Sequence, residues 1–280
     1  MRRMLVVPVA AAVVGVLAGC GGNLPRSLDP DRVASEIAAL ERKAAEDPTD
    51  PWWHFRAGEI RVAANDGPSA ERSLRAALAL APDHAPSLSL LSKVYWDAGR
   101  HEAAVPLLET ARAAGVTSPE LAAALALHYE ALDRVDEADA LASDLEARSS
   151  EGPVAGALTY LRLRGDDFLR SADIARRALD ADPKSAANHN NLGITLLYAG
   201  EPAAARESFL TAAEIDPRLP GPLYNLAIVD RFYFFDDERA QQWFRRYREL
   251  ADDDPDGLAE LLGAKVAVQT AVADSGEGTP

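Results

Sequence analysis

The chain has 280 residues, 29 Lys+Arg against 44 Asp+Glu for a formal net charge of −15, and a single cysteine. An acidic field of that size repels nucleic acid and anionic lipid headgroups, which argues against nucleic-acid binding and favours a basic partner. One cysteine excludes an intrachain disulfide.

Residues 1–19 read as an export leader. Arg2 and Arg3 give a positive start, and Met4 to Gly19 are apolar or small apart from the break at Pro8. The run is shorter than the ~20 apolar residues that a bilayer-spanning helix needs. It closes in Leu17-Ala18-Gly19-Cys20, which resembles the lipobox of bacterial lipoproteins. The resemblance implies lipid attachment at Cys20, cleavage before it, and acylation of the new amino group. Two or three acyl chains hold a protein on a membrane, whereas one gives reversible binding. Residues 20–30 are then the lipidated cysteine and its tether. Gly21 stands where some Gram-negative lipoproteins carry a retention-signal Asp, so the resemblance implies the outer membrane, facing the periplasm.

The segment 31–50 reads as an N-terminal helix with Val33, Ile37 and Leu40 on one stripe. Prolines then punctuate the chain: Pro48 to Pro82 and Pro183 to Pro217 are each 34 residues apart. In the unit 186–219, Leu192, Gly193, Gly200, Ala205, Phe209, Ala212 and Pro217 form a set that resembles the tetratricopeptide repeat (TPR). Gly193 and Ala205 are small where two antiparallel helices cross, and Phe209 fills the space between repeats. Gly200 closes the first helix. Pro202 starts the second, where its missing N–H costs nothing, and Pro217 ends it. The frame extends with falling fidelity over 51–84, 85–118, 119–151, 152–185 and 220–256; in 152–185, Arg162 and Asp166 replace the aromatic and glycine of the pattern. Residues 257–273 read as a capping helix and 274–280 as a polar, disordered tail. No segment alternates as a strand does. The expected fold is all-α, a single TPR solenoid of about six helix-turn-helix repeats.

In TPR proteins the first helices (A) of the repeats line a concave groove. The resemblance puts Phe55, Glu59, Lys93, Trp96, Tyr160, Asn191, Tyr224 and Asn225 on it as candidate peptide-contacting residues. Asn191 and Asn225 hold the same place in successive repeats; their amides either read a peptide backbone or tie neighbouring helices together. No basic residue stands beside Asn191, so the set that clamps a C-terminal carboxylate is incomplete.

Motifs of catalysis are absent: there is no HExxH, GxSxG, P-loop or GxGxxG. No cofactor is called for, and the expectation is a non-enzyme. His54, His84, His101, His128 and His189 are spread over four of the repeats and read as scattered surface histidines. Asp252 to Gly257 has the opening of an EF-hand calcium loop, but Gly263 stands at the twelfth position where a bidentate Glu belongs; the loop reads as another Asp-Pro repeat terminus, and no metal site is expected. Tyr224, Phe232, Tyr233, Phe234, Phe235, Trp243, Phe244 and Tyr247 crowd one stretch, as a core or as a docking face. On a helix turning 100° per residue, Phe232 to Phe235 cannot all point inward.

A membrane-anchored scaffold or adaptor for envelope proteins is the functional expectation. TPR lipoproteins of this design are similar to the pilotin-like lipoproteins of type IV and Tad pilus or secretin assembly, and to adaptors that recruit peptidoglycan hydrolases. An envelope enzyme or metal-binding protein is the rival that the motif search disfavours. Oligomeric state is not written in the sequence.

Overall fold

A computed structural model describes residues 30–148, 152–251, 254 and 257–263. All regular structure among them is helical. The elements are α1 (Pro30–Glu46), α2 (Pro51–Ala63), α3 (Gly67–Leu80), α4 (Ala85–Asp97), α5 (His101–Ala113), α6 (Pro119–Ala131), α7 (Val135–Arg148), α8 (Gly152–Arg164), α9 (Phe168–Ala181), α10 (Ala186–Tyr198), α11 (Pro202–Ile215), α12 (Pro220–Phe232) and α13 (Asp237–Arg248). A further helical segment runs over 258–263. The leader, Cys20 and most of the capping segment 257–273 lie outside the described residues.

Six helix starts have a visible chemical cause. Asp50, Asp66, Ser118, Asp167, Ser185 and Asp236 accept backbone N–H bonds from the first turns of α2, α3, α6, α9, α10 and α13, satisfying donors that a helix start leaves open. Inside every helix pair the turn passes through the left-handed region at one equivalent residue: Asn65, Gly99, Asp133, Asp166, Gly200 and Phe235. Gly, Asn and Asp tolerate that conformation, so Asp166 does the work of the glycine it replaces. The amide after this residue then reaches back to the preceding helix, as Arg100 N–H does to Tyr95 O at 2.8 Å and Glu201 N–H to Leu196 O at 2.9 Å.

The two helices of a pair approach closely because a small residue faces a large one. A Cβ on Gly58 would lie 2.7 Å from the Leu74 side chain, and one on Gly193 would lie 2.5 Å from the Phe209 ring. Ser92, Ala126, Thr159 and Ala227 occupy the same place in the other first helices and are buried. Phe209 and Leu74 are themselves fully buried, each side chain contributing roughly 1.5–3 kcal/mol.

Polar ties join one repeat to the next. Tyr95 of α4 donates its hydroxyl proton to Glu71 of α3 at 3.0 Å, and Arg100 bonds the same carboxylate at 2.6 Å. Burial opposes ionisation of Glu71, but the bonds from Arg100, Tyr95 and Arg75 outweigh it and hold its pKa below the usual range. One repeat on, Tyr129 donates to Glu109 at 2.7 Å; burial, with that bond, pushes the phenol up to about 12. Late in the chain the same tie returns with its polarity reversed. Arg206 of α11 stands at the Glu71 place and forks onto Asp230 of α12 at 2.6 and 3.2 Å, while the Trp243 indole N–H donates to Asp230 at 3.0 Å.

The chain divides into two compact units at Leu161/Arg162, inside α8, where the sequence reads as one domain. The division falls in the most degenerate repeat, in which Arg162 stands where the earlier repeats carry Tyr95 and Tyr129. The N-terminal unit has a core of Ala70, Leu74, Leu90, Leu91, Val94, Tyr95 and Ala104. The larger cluster of the C-terminal unit runs from Leu163 through Phe209, Tyr224 and Phe244 to Leu262.

Asp230 is 1% exposed, and removing it would leave Arg206 and Trp243 without their acceptor. Breaking a buried pair in this way costs about 3–5 kcal/mol. Asp230→Ala should therefore lower the urea-unfolding free energy by that order. Asp173→Ala, which removes only the exposed partner of Arg177, should change it by less than ~1 kcal/mol.

Candidate functional site

In the N-terminal unit five candidate groove residues are half-buried and already engaged. Phe55 meets the His84 ring edge-on, with centroids 5.3 Å apart. Glu59 pairs with Arg56, and Lys93 with Asp97 at 2.6 Å. Tyr160 donates its hydroxyl proton to Glu130 at 3.0 Å. Trp96 packs on two imidazoles, His101 at 4.9 Å and His128 at 5.4 Å. These side chains keep part of their surface open; Phe55, Trp96 and Tyr160 are of the aromatic type enriched in protein interfaces, and Glu59 and Lys93 suit the polar rim of one.

The histidines correct the expectation of scattered surface residues. His128 is fully buried on α6, its Nε2 sits 3.0 Å from Ser92 Oγ and its Nδ1 3.0 Å from His101 Nδ1. One imidazole must donate and the other accept, so the pair holds only while at least one ring is neutral. Burial first, then the neighbouring His101, pushes the His128 pKa down to about 3. Burial also lowers that of His101, against the pull of Glu102 and Glu130. Nothing local signals this cluster: the two residues lie 27 apart on helices of different repeats.

A folded-state pKa below the unfolded value of ~6.5 means that the unfolded chain binds the proton first. The stabilisation is complete above that unfolded value and drains away as pH falls towards about 3. Between pH 7.5 and pH 5 the loss should be about 2 kcal/mol. Denaturant melts at the two pH values should show it, and His128→Gln should flatten the difference.

The C-terminal unit overturns two candidates. Tyr224 is wholly buried, packed on Phe244 and Tyr247, with its hydroxyl donating to Asp254 at 3.2 Å; a partner cannot reach it. Asn225 is also buried, and its Nδ2 donates to Oδ1 of Asn190 at 2.9 Å. That amide ties α12 to α10, and its match is Asn190, not Asn191. Asn191 itself remains half-buried. The apolar packing around Tyr224 explains both outcomes, because α12 is buried from Pro222 to Asp230 and has no open face.

Asp254 accepts the N–H groups of Leu258 at 2.7 Å and Ala259 at 2.9 Å, capping the last helical segment. Asp252 and Asp253 of the candidate calcium loop lie outside the described residues. No group of three or more His, Cys, Asp or Glu side chains converges as a metal site among the described residues. Among the described residues, the surface clefts of the N-terminal unit include two. One, of about 170 Å³, is lined by Leu108, Leu125, Leu141 and Leu145 with Arg112 and Asp144. The other, of about 360 Å³, lies by Val62, Val94, Glu71 and Arg100. Neither is lined by a candidate groove residue.

Helix pairs of one length, a small residue at each crossing and a left-handed residue in each turn define the tetratricopeptide repeat fold. Residues 65–127 and 155–220 match tetratricopeptide repeat family models. A tetratricopeptide repeat protein from Parabacteroides merdae is similar in structure, with a TM-score of 0.67 at 14% identity over 90% of this chain and 98% of that one. The APC/C hetero-tetramer Cut9–Hcn1 is similar at a TM-score of 0.63 and 14% identity; the match covers 94% of this chain but spans only 49% of that one. The human IFIT1 dimer with PPP-AAAA gives a TM-score of 0.58 and 14% identity, over 70% of this chain and 49% of that one. At such identities the likeness is one of fold. No curated protein shows significant sequence similarity to the chain.

Proposed function

We propose that this protein is a lipid-anchored TPR scaffold of the bacterial cell envelope, holding partner proteins on the exported side of a membrane. The single observation that carries the reading is the order Arg2-Arg3, apolar run, Leu17-Ala18-Gly19-Cys20 ahead of tetratricopeptide repeats. Repeats of this kind serve as protein-interaction scaffolds, and the stack presents a preformed surface, so binding forfeits little conformational entropy. Among the described residues no helix is long and apolar enough to cross a membrane, which is compatible with attachment through lipid at Cys20. The resemblance to pilotin-like lipoproteins makes pilus or secretin assembly the preferred setting, with recruitment of peptidoglycan hydrolases as the alternative. Docking centres on Phe55, Glu59, Lys93, Trp96 and Tyr160 of the N-terminal unit, since Tyr224 and Asn225 are buried.

Metabolic labelling with a fatty-acid analogue should mark the protein, and Cys20→Ser should abolish the mark; equal labelling of both would end the anchoring claim. A photo-crosslinker at Lys93 should capture an envelope protein in cells. Trp96→Ala should weaken that capture about tenfold or more, the usual effect of truncating a central anchor.

A further inference from the structure

The six turns inside the helix pairs each pass through the left-handed region once, and the sixth departs from the others in its length and its chemistry. Five place Asn65, Gly99, Asp133, Asp166 or Gly200 at the left-handed position; the sixth places Phe235 there, at φ 57°. A bulky side chain is a true outlier in that region, and such strain collects at functional sites. The Phe235 ring is not withdrawn into a core. It is 74% exposed, beside Phe234 at 45% and Tyr233 at 36%. The helical reading of these aromatics is corrected at the same time, because α12 ends at Phe232 and the next three leave it.

The turn is held rigidly. It is one residue longer than the other five, and Asp236 N–H reaches back to Asp230 O at 2.8 Å, while Tyr233 and Phe234 N–H groups bond Val229 O. Asp236 caps α13 through Arg239 N–H at 3.0 Å. Phe234 lies over the Arg206 guanidinium at 5.9 Å, and Arg206 is locked on Asp230. Backbone strain, solved hydrogen bonding and outward rings together describe a preorganised apolar projection rather than a frayed loop.

Its surroundings decide what it takes. Glu207 and Asp236 both act on the Arg206 guanidinium beneath Phe234, and Asp237 and Glu238 follow at the start of α13. Arg206 is spent on Asp230, Arg231 on Asp237 and Arg239 on Asp236. Those three pairs cancel, and Glu207 and Glu238 leave the rim net acidic in a chain of net charge −15, which disfavours an anionic lipid surface or a second copy of the same acidic chain.

We infer that the Tyr233-Phe234-Phe235 turn is a second docking site, and that its occupant is a basic amphipathic segment of a partner protein. Apolar side chains of the segment pack on Phe234 and Phe235, and its lysines or arginines face Glu207 and Glu238. The site belongs to the C-terminal unit, Trp96 to the N-terminal one.

The test uses the full chain and two fluorescent peptides with one leucine pattern, the first with lysine and the second with glutamate at the polar places. Anisotropy titration should give at least about tenfold tighter binding of the lysine peptide, weakening as salt rises. Phe235→Gly suits the backbone conformation, so its Tm should equal or exceed that of the parent, while affinity for the lysine peptide falls about tenfold or more. Trp96→Ala should leave that affinity unchanged, which separates this site from the proposed groove. Unchanged binding by Phe235→Gly, or a Tm lowered by it, would overturn the inference. So would loss in Phe235→Gly of self-association or of binding to anionic vesicles with peptide affinity intact.

Discussion

The close crossing of the two helices in each pair is the constraint from which the rest follows. Gly193 faces Phe209, and Gly58 faces Leu74, at distances that leave no room for a Cβ. The absent side chain on one helix is the space for the buried side chain on the other, and dense packing makes that fit specific. Once the pair closes, its turn must be short, and a short turn needs a residue in the left-handed region. The next helix is then set down where Tyr95, Tyr129 or Asp230 can reach back to the preceding repeat. The same tie is made with a carboxylate on the earlier helix in the first repeats and with an arginine in the last complete one, so geometry, not charge sign, is what repeats.

Much of this was legible because the causes are local. Gly193, Gly200, Pro202 and Phe209 each carry their reason within one unit of sequence, and the all-helical repeat fold follows from them. Contacts between units were harder to see. The 34-residue frame aligns Asn191 with Asn225, but helices of successive repeats are staggered, and the amide that answers Asn225 belongs to Asn190. His101 and His128 resemble isolated surface residues in sequence and meet only after α4, α5 and α6 have packed around Trp96. Tyr224 has the polarity of a surface anchor, yet the aromatic side chains of α13 and the carboxylate of Asp254 enclose it. The run Phe232 to Phe235 looks helical in sequence, but the helix ends at its first member.

Function divides along the same line between what is packed and what is left open. The aromatic residues of the C-terminal stretch serve both uses: Tyr224, Phe244 and Tyr247 seal a core, while Phe234 and Phe235 stand outside it. The N-terminal unit leaves Trp96 and its charged neighbours partly open. Repeats of this kind hold other proteins, and in the proposed reading the acidic surface would select and steer basic partners more than set their affinity. The proposed lipid on Cys20 would add location to that binding without adding a contact.

The helix-crossing constraint is tested most directly by a double-mutant cycle on Gly193→Ala and Phe209→Leu, read as unfolding free energies in denaturant. The account predicts that Gly193→Ala alone destabilises by about 1–3 kcal/mol through overpacking. In the Phe209→Leu background the added methyl should cost markedly less, giving a coupling energy of at least ~0.5 kcal/mol. Equal costs of Gly193→Ala in both backgrounds would mean that the two residues are independent, and would contradict it.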